Sequence, residues 1–191
     1  MITMRDTRHK EVAAVLKSMM SKVGWEVWQG ETTGWVRGRP DLRPLDVVYR
    51  RDPKEGLKGF DLAVADSTRL TMLPKGKQYF GRGGATERMA ARKRSDLAHL
   101  IKTYGPLKKE ISFTPVVFDA TSGRGKEADE LFREVVREAN RNGYQAPTED
   151  WSWTAQSFGA YWSQRLSHVI SKYSAISVLT AVRKANASKW K

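Results

Sequence analysis

The sequence predicts a mixed α/β fold in the order helix, strand, strand, strand, helix, strand, with added C-terminal helices. Three observations lead there. Apolar residues recur at helical spacing from Val12 to Val23. Two short apolar runs, Leu45-Asp46-Val47-Val48-Tyr49 and Phe60-Asp61-Leu62-Ala63-Val64-Ala65, are divided by the turn residues Asp52-Pro53-Lys54-Glu55-Gly56. A second helical pattern over 86–104 then precedes a strand-like run from Phe113 to Asp119.

The first helix is expected over His9 to Val23. Val12, Val15, Leu16, Met19, Met20 and Val23 form its apolar face, and Gly24 is its stop. At about 100° per residue His9 falls on the apolar side and Glu11 opposite. Trp25 to Gln29 alternates as a first strand, and a turn follows at Gly30-Glu31-Thr32-Thr33-Gly34. The second helix is expected from Thr86, as its cap, to Tyr104, with Gly105-Pro106 as terminator. Its stripe is Met89, Leu97, Leu100, Ile101 and Tyr104. Lys93 lies in the middle of that stripe and Lys102 projects away from it. An ammonium on a core face either finds a partner or runs past the core to solvent. Phe113 to Asp119 is the fourth strand, with Pro115 marking an edge or an irregular point. After a turn at Gly123 and Gly125, Lys126 to Asn142 is an amphipathic helix closed by Gly143. A last helix reaches about Ala185. It opens with Trp151, Trp153, Phe158, Tyr161 and Trp162, which serve either as core or as stacking platforms. The expected organisation is a core over 1–145 with a basic insertion at 69–86, then an aromatic and basic extension over 146–191.

Composition narrows the partners. The 191 residues hold 34 Lys and Arg against 21 Asp and Glu, a net charge of +13 that favours a polyanion, nucleic acid first and an anionic membrane surface second. From 69 to 94 the cations Arg69, Lys75, Lys77, Arg82, Arg88, Arg92, Lys93 and Arg94 face one acid, Glu87, with Tyr79 and Phe80 among them. That composition suits a surface tracking a phosphate backbone and stacking on bases, or a solvated basic loop. No acid follows Asp150, and Arg165, Lys172, Arg183, Lys184, Lys189 and Lys191 make the tail cationic. With no cysteine, disulfides and thiolate metal sites are excluded and a reducing, intracellular compartment fits. No apolar run approaches the ~20 residues of a membrane span, and no signal-peptide core is visible at the start. Phosphate-binding loops, dinucleotide fingerprints, zinc spacings and serine-hydrolase signatures do not occur, and His9, His99 and His168 are scattered.

Asp46 and Asp61 are the candidates to carry the chemistry; either one taken singly reads more readily as a turn or cap residue. A carboxylate in a buried strand is costly unless it is paired or binds a cation. Two on neighbouring strands make one negative pocket suited to a hard divalent ion such as Mg²⁺. An acidic pocket on a basic protein points to a phosphodiester substrate. Asp41, in Arg39-Pro40-Asp41, is a rival for Asp46, which is preferred because Val47-Val48-Tyr49 supplies its strand.

The element order resembles the PD-(D/E)xK, restriction-endonuclease-like core. The series Arg8-His9, Gly24-Trp25-Glu26-Val27, Glu31, Arg43-Pro44-Leu45-Asp46-Val47-Val48, Phe60-Asp61-Leu62-Ala63-Val64, Ala91-Arg92-Lys93-Arg94, Phe113-Thr114-Pro115-Val116-Val117 and Gly123-Arg124-Gly125 is similar to the restriction-like endonuclease domains of non-LTR retrotransposons. It covers roughly residues 8 to 140. The resemblance implies a DNA endonuclease from a mobile element using Mg²⁺ or Mn²⁺. Asp46 and Asp61 are then the motif acids, Glu31 an accessory acid and metal ligand, and His9 a supporting residue. The chain departs from the motif at Ala63, where the lysine should stand. Lys93 is its implied replacement, as in branches of the superfamily where that lysine moves to the following helix. Lys75, Lys77, Arg82, Arg88, Arg92, Arg94, Arg165 and Lys172 would hold the nucleic acid. The expected partners are DNA, or RNA as for viral endonucleases of this fold, without a membrane. The expected setting is a homodimer or a larger polypeptide, nuclear if the element is eukaryotic. The missing lysine leaves open a second class: a nucleic-acid-binding module on the same scaffold that does not cut.

Overall fold

The computed structural model describes residues 4–29, 35–36, 39, 41–65, 84–107, 109–144 and 155–188. Among them are four helices and one four-stranded mixed sheet. Helix α1 spans Met4–Lys22 and buries Val12, Val15, Leu16, Met19 and Met20 on one face. It begins a turn and more before the expected start at His9, and in that added turn Arg8 Nη1 donates to Ser174 Oγ of the last helix at 3.2 Å. Gly24 ends it at φ +86°, a conformation glycine adopts without steric cost.

Strand β1 (Glu26–Gln29) pairs antiparallel with β2 (Val47–Arg50), and β2 antiparallel with β3 (Leu57–Ala65). The β2–β3 turn is closed by Asp52, whose Oδ1 accepts from the Lys54 N–H at 2.8 Å while its carbonyl accepts from Glu55 N–H at 2.9 Å. Helix α2 (Gly84–Tyr104) carries the chain over to β4 (Ile111–Asp119), which runs parallel to β3 from Leu57↔Ile111 to Ala65↔Asp119. Among the described residues β4 is an edge strand, where Pro115 and its missing N–H are tolerated. Helices α3 (Lys126–Arg141) and α4 (Phe158–Ser188) complete the chain.

The sheet has two unlike faces, set by the period of two along β3. Phe60 and Leu62 point into the large core with Val47, Tyr49, Val116 and Phe118, under α1, α3 and the first half of α4. Phe158, Tyr161 and Trp162 belong to that core, which settles the α4 aromatics as packing residues. Asp61, Ala63 and Ala65 point the other way. Ala63 and Ala65 meet Ala85, Ala90 and Val117 in a small cluster, so a seam of methyl groups brings α2 close to the sheet. The expected cap at Thr86 is corrected here. The helix starts at Gly84, and Thr86 lies buried in its first turn, packed where a Cβ on Gly125 would meet it at 3.2 Å. Residues 84–86, assigned above to the basic insertion, are thus helical, and the rest of that insertion lies outside the described residues.

Candidate active site

Asp46 stands at the entrance to β2. The Val47↔Phe60 register would set it opposite Asp61, and there the ladder breaks. The Asp46 N–H donates to the Phe60 carbonyl at 2.9 Å, and the Leu62 N–H donates to Asp46 Oδ2 at 2.5 Å. A carboxylate has taken the place of a strand carbonyl. Its other oxygen, Oδ1, accepts from His9 Nε2 of α1 at 2.8 Å. Both oxygens are thereby fixed, one by the backbone and one by an imidazole.

Asp61 is on the α2 side of β3. Lys93 Nζ donates to its Oδ1 at 2.7 Å, and the two side chains are only 22% and 23% exposed. Lys93 occupies the inner line of α2 that runs through Thr86, Met89 or Ala90, and Leu97. Its ammonium ends on a carboxylate instead of running past the core. Ala63, two residues after Asp61 and on the same side, sits in the alanine seam, so α2 and not β3 supplies the cation.

The two carboxyl groups lie close enough to interact, and their acidities diverge. Burial pushes Asp61 up to about 6. The charge of Asp46 adds to that rise, and the Lys93 ammonium opposes it without cancelling it. Burial also acts on Asp46 but is outweighed by His9, by the Leu62 N–H and by Asp61, so Asp46 stays below the usual carboxylate range. Asp46 is thus the stronger acid of the two and ionises first.

The residues fit a hard divalent cation by the chemistry of their donors. Both groups are oxygen donors, they are adjacent, and two carboxylates are what Mg²⁺ takes while keeping several waters. Among the described residues no group of three or more His, Asp or Glu is placed to hold a metal ion, and the adjacent oxygen donors there are the aspartate pair. Glu31 lies outside the described residues, as do Lys75, Lys77 and Arg82. Asp41 is engaged elsewhere. It forms a two-pronged pair with Arg39 at 2.8 and 2.7 Å, is 60% exposed on its side chain, and is held down to about 2 by that bond.

The remaining predicted cations are dispersed. Arg88 and Arg92 are exposed on the outer side of α2, Arg92 within 3.8 Å of Asp96. Arg94 is paired with Glu127 in the first turn of α3. On α4, Arg165 donates to the Tyr161 hydroxyl at 2.6 Å and lies over the Tyr161 and Trp162 rings, while Lys172 stands over Tyr173. The participant that sequence reasoning missed is the Leu62 amide. A backbone donor leaves no residue-type signal. No protein-family model matches this chain, and no curated protein matches its sequence.

Proposed function

We propose that this chain is a Mg²⁺- or Mn²⁺-dependent endonuclease of restriction-endonuclease-like fold that hydrolyses DNA phosphodiester bonds, of the kind carried by mobile elements. The observation that carries this reading is the convergence of His9, Asp46, Asp61 and Lys93 from α1, the start of β2, β3 and α2. The net charge of +13 supports a polyanionic substrate, and the element order supports the fold.

Asp46 and Asp61 would hold the ion, which when bound supplies an activated water and polarises the phosphate. His9 and the Leu62 N–H keep Asp46 in one orientation and ionised. Asp61 would meet the ion as a carboxylate, held in place by Lys93. Lys93 places a fixed positive charge beside the reacting phosphate, where negative charge grows in the transition state. Basic side chains such as Arg88 and Arg92 would grip the backbone without reading sequence. Ala63 favours the second reading, a non-cutting DNA-binding scaffold, because it removes the motif lysine; the Lys93–Asp61 contact favours cutting.

The test is nicking of supercoiled plasmid in Mn²⁺ by the wild type beside an Asp46→Ala, Asp61→Ala double variant. The expected result is nicking by the wild type alone, with DNA binding retained by both. Equal cutting by the double variant would remove the two acids from the mechanism. Binding without cutting by the wild type, on DNA and on RNA, with no stabilisation by Mn²⁺, would establish the scaffold reading.

A further inference from the structure

The last half of α4 has a face that nothing described covers. Val178, Leu179 and Val182 are 62%, 57% and 50% exposed. Arg8 near the start of α1 reaches Ser174, and from there α4 continues to Ser188, about 21 Å at the helical rise. Solvated valines weaken a helix through their stiff χ1 and gain no burial in return. Val178 and Val182, one turn apart, would gain that burial against a partner.

The charge of this segment says which kind. Lys172, Leu179 and Arg183 stand seven and four residues apart, so they share one line along the helix, with Val178 and Val182 to one side of it. The helix contains no Asp or Glu anywhere in its 31 residues. An apolar strip edged by cations is complementary to an amphipathic segment with an apolar strip edged by acids. A second copy of the chain does not fit. Two copies of the same acid-free, cationic face repel each other. A lipid surface fits poorly, because the aromatic anchors of interfacial helices are absent from the strip: Phe158, Tyr161 and Trp162 are buried in the core.

We propose that the 172–183 face of α4 is a docking surface for an acidic amphipathic helix of another protein. It is independent of the aspartate pair and holds whether or not the chain cuts DNA. The probe is a synthetic 18-residue peptide with leucines at i, i+3, i+4 and i+7 edged by glutamates, with a scrambled peptide of the same composition as control. Fluorescence anisotropy of the full chain should show binding of the patterned peptide, weakened at least tenfold in Val178→Ser, Val182→Ser and in Lys172→Gln, Arg183→Gln, with unchanged Tm and unchanged DNA affinity in the first variant. Equal binding of the scrambled peptide, or full binding by the serine variant, would overturn the proposal. So would self-association in sedimentation, or binding to vesicles of anionic lipid, that the serine variant abolishes while the peptide does not bind.

Discussion

Asp61 and Lys93 are separated by 32 residues in sequence and by 2.7 Å in space, and what the site does depends on that contact. Replacing Lys93 by Ala should lower the nicking rate about 10²-fold, the usual loss of one preorganised charge, with little change in DNA affinity. A fall in affinity with an unchanged rate at saturating DNA would make Lys93 a phosphate anchor instead. The acid itself predicts a pH dependence. The folded state holds the Asp61 proton up to about 6, while the unfolded chain releases it near 3.8. Between those values the folded state binds more protons, so metal-free stability should fall as pH rises from about 4 to 6. Asp46 is shifted the other way, and its contribution is lost only as pH falls below the ordinary aspartate range. Urea unfolding across pH 4–7 checks this, with Asp61→Asn expected to flatten the decline. Mn²⁺ should stabilise the wild type more at pH 7 than at pH 5, since at pH 5 the ion must first displace a proton.

Elements decide where those residues meet, and here the sequence was unevenly legible. A carboxylate inside an apolar strand run and a lysine inside a helical stripe are local contradictions, visible by spacing alone, and Asp46, Asp61 and Lys93 were found that way. His9 was placed on the correct side of α1 by the same arithmetic. Features made by distant partners left no local trace. The bond of Asp46 to the Leu62 amide, the capture of Arg94 by Glu127 and the bond of Arg8 to Ser174 each need the fold before they exist. The α2 stripe was overread at its end. Ile101 and Tyr104 are 38% and 39% exposed, and the Tyr104 hydroxyl accepts from Arg39 at 2.9 Å. The β4–α3 junction yields its own test. A Cβ on Gly125 would stand 3.0 Å from the Val117 carbonyl oxygen and 3.2 Å from Thr86 Cβ, and the first neighbour is backbone. Gly125→Ala should therefore cost about 1–3 kcal/mol, a fall in Tm of several degrees for a chain of this length. An unchanged melting temperature would mean that the turn shifts freely.

At the scale of the molecule, one large core and one small one divide the work. The large core ties α1, α3 and half of α4 to the sheet, so the aromatic segment after residue 154 shares the packing of the first helix. The charge of the whole chain predicts how it meets DNA: affinity should drop steeply with salt, with a log–log slope steeper than about −3, as for three or more phosphates neutralised. A salt-independent affinity, measured by filter binding between 50 and 300 mM salt, would contradict the polyanion assignment. No helix among the described residues is long and apolar enough to cross a membrane.

The alanine seam under α2 acts as a gauge for the distance between helix and sheet. Ala63 and Ala65 lie against Ala85 and Ala90, and that closeness is what lets a lysine side chain on α2 span the gap to Asp61. A long side chain at 63 would have no volume to occupy, and making that volume would lift Lys93 away from Asp61. The spacing of one salt bridge is thus set by four methyl groups that never touch it.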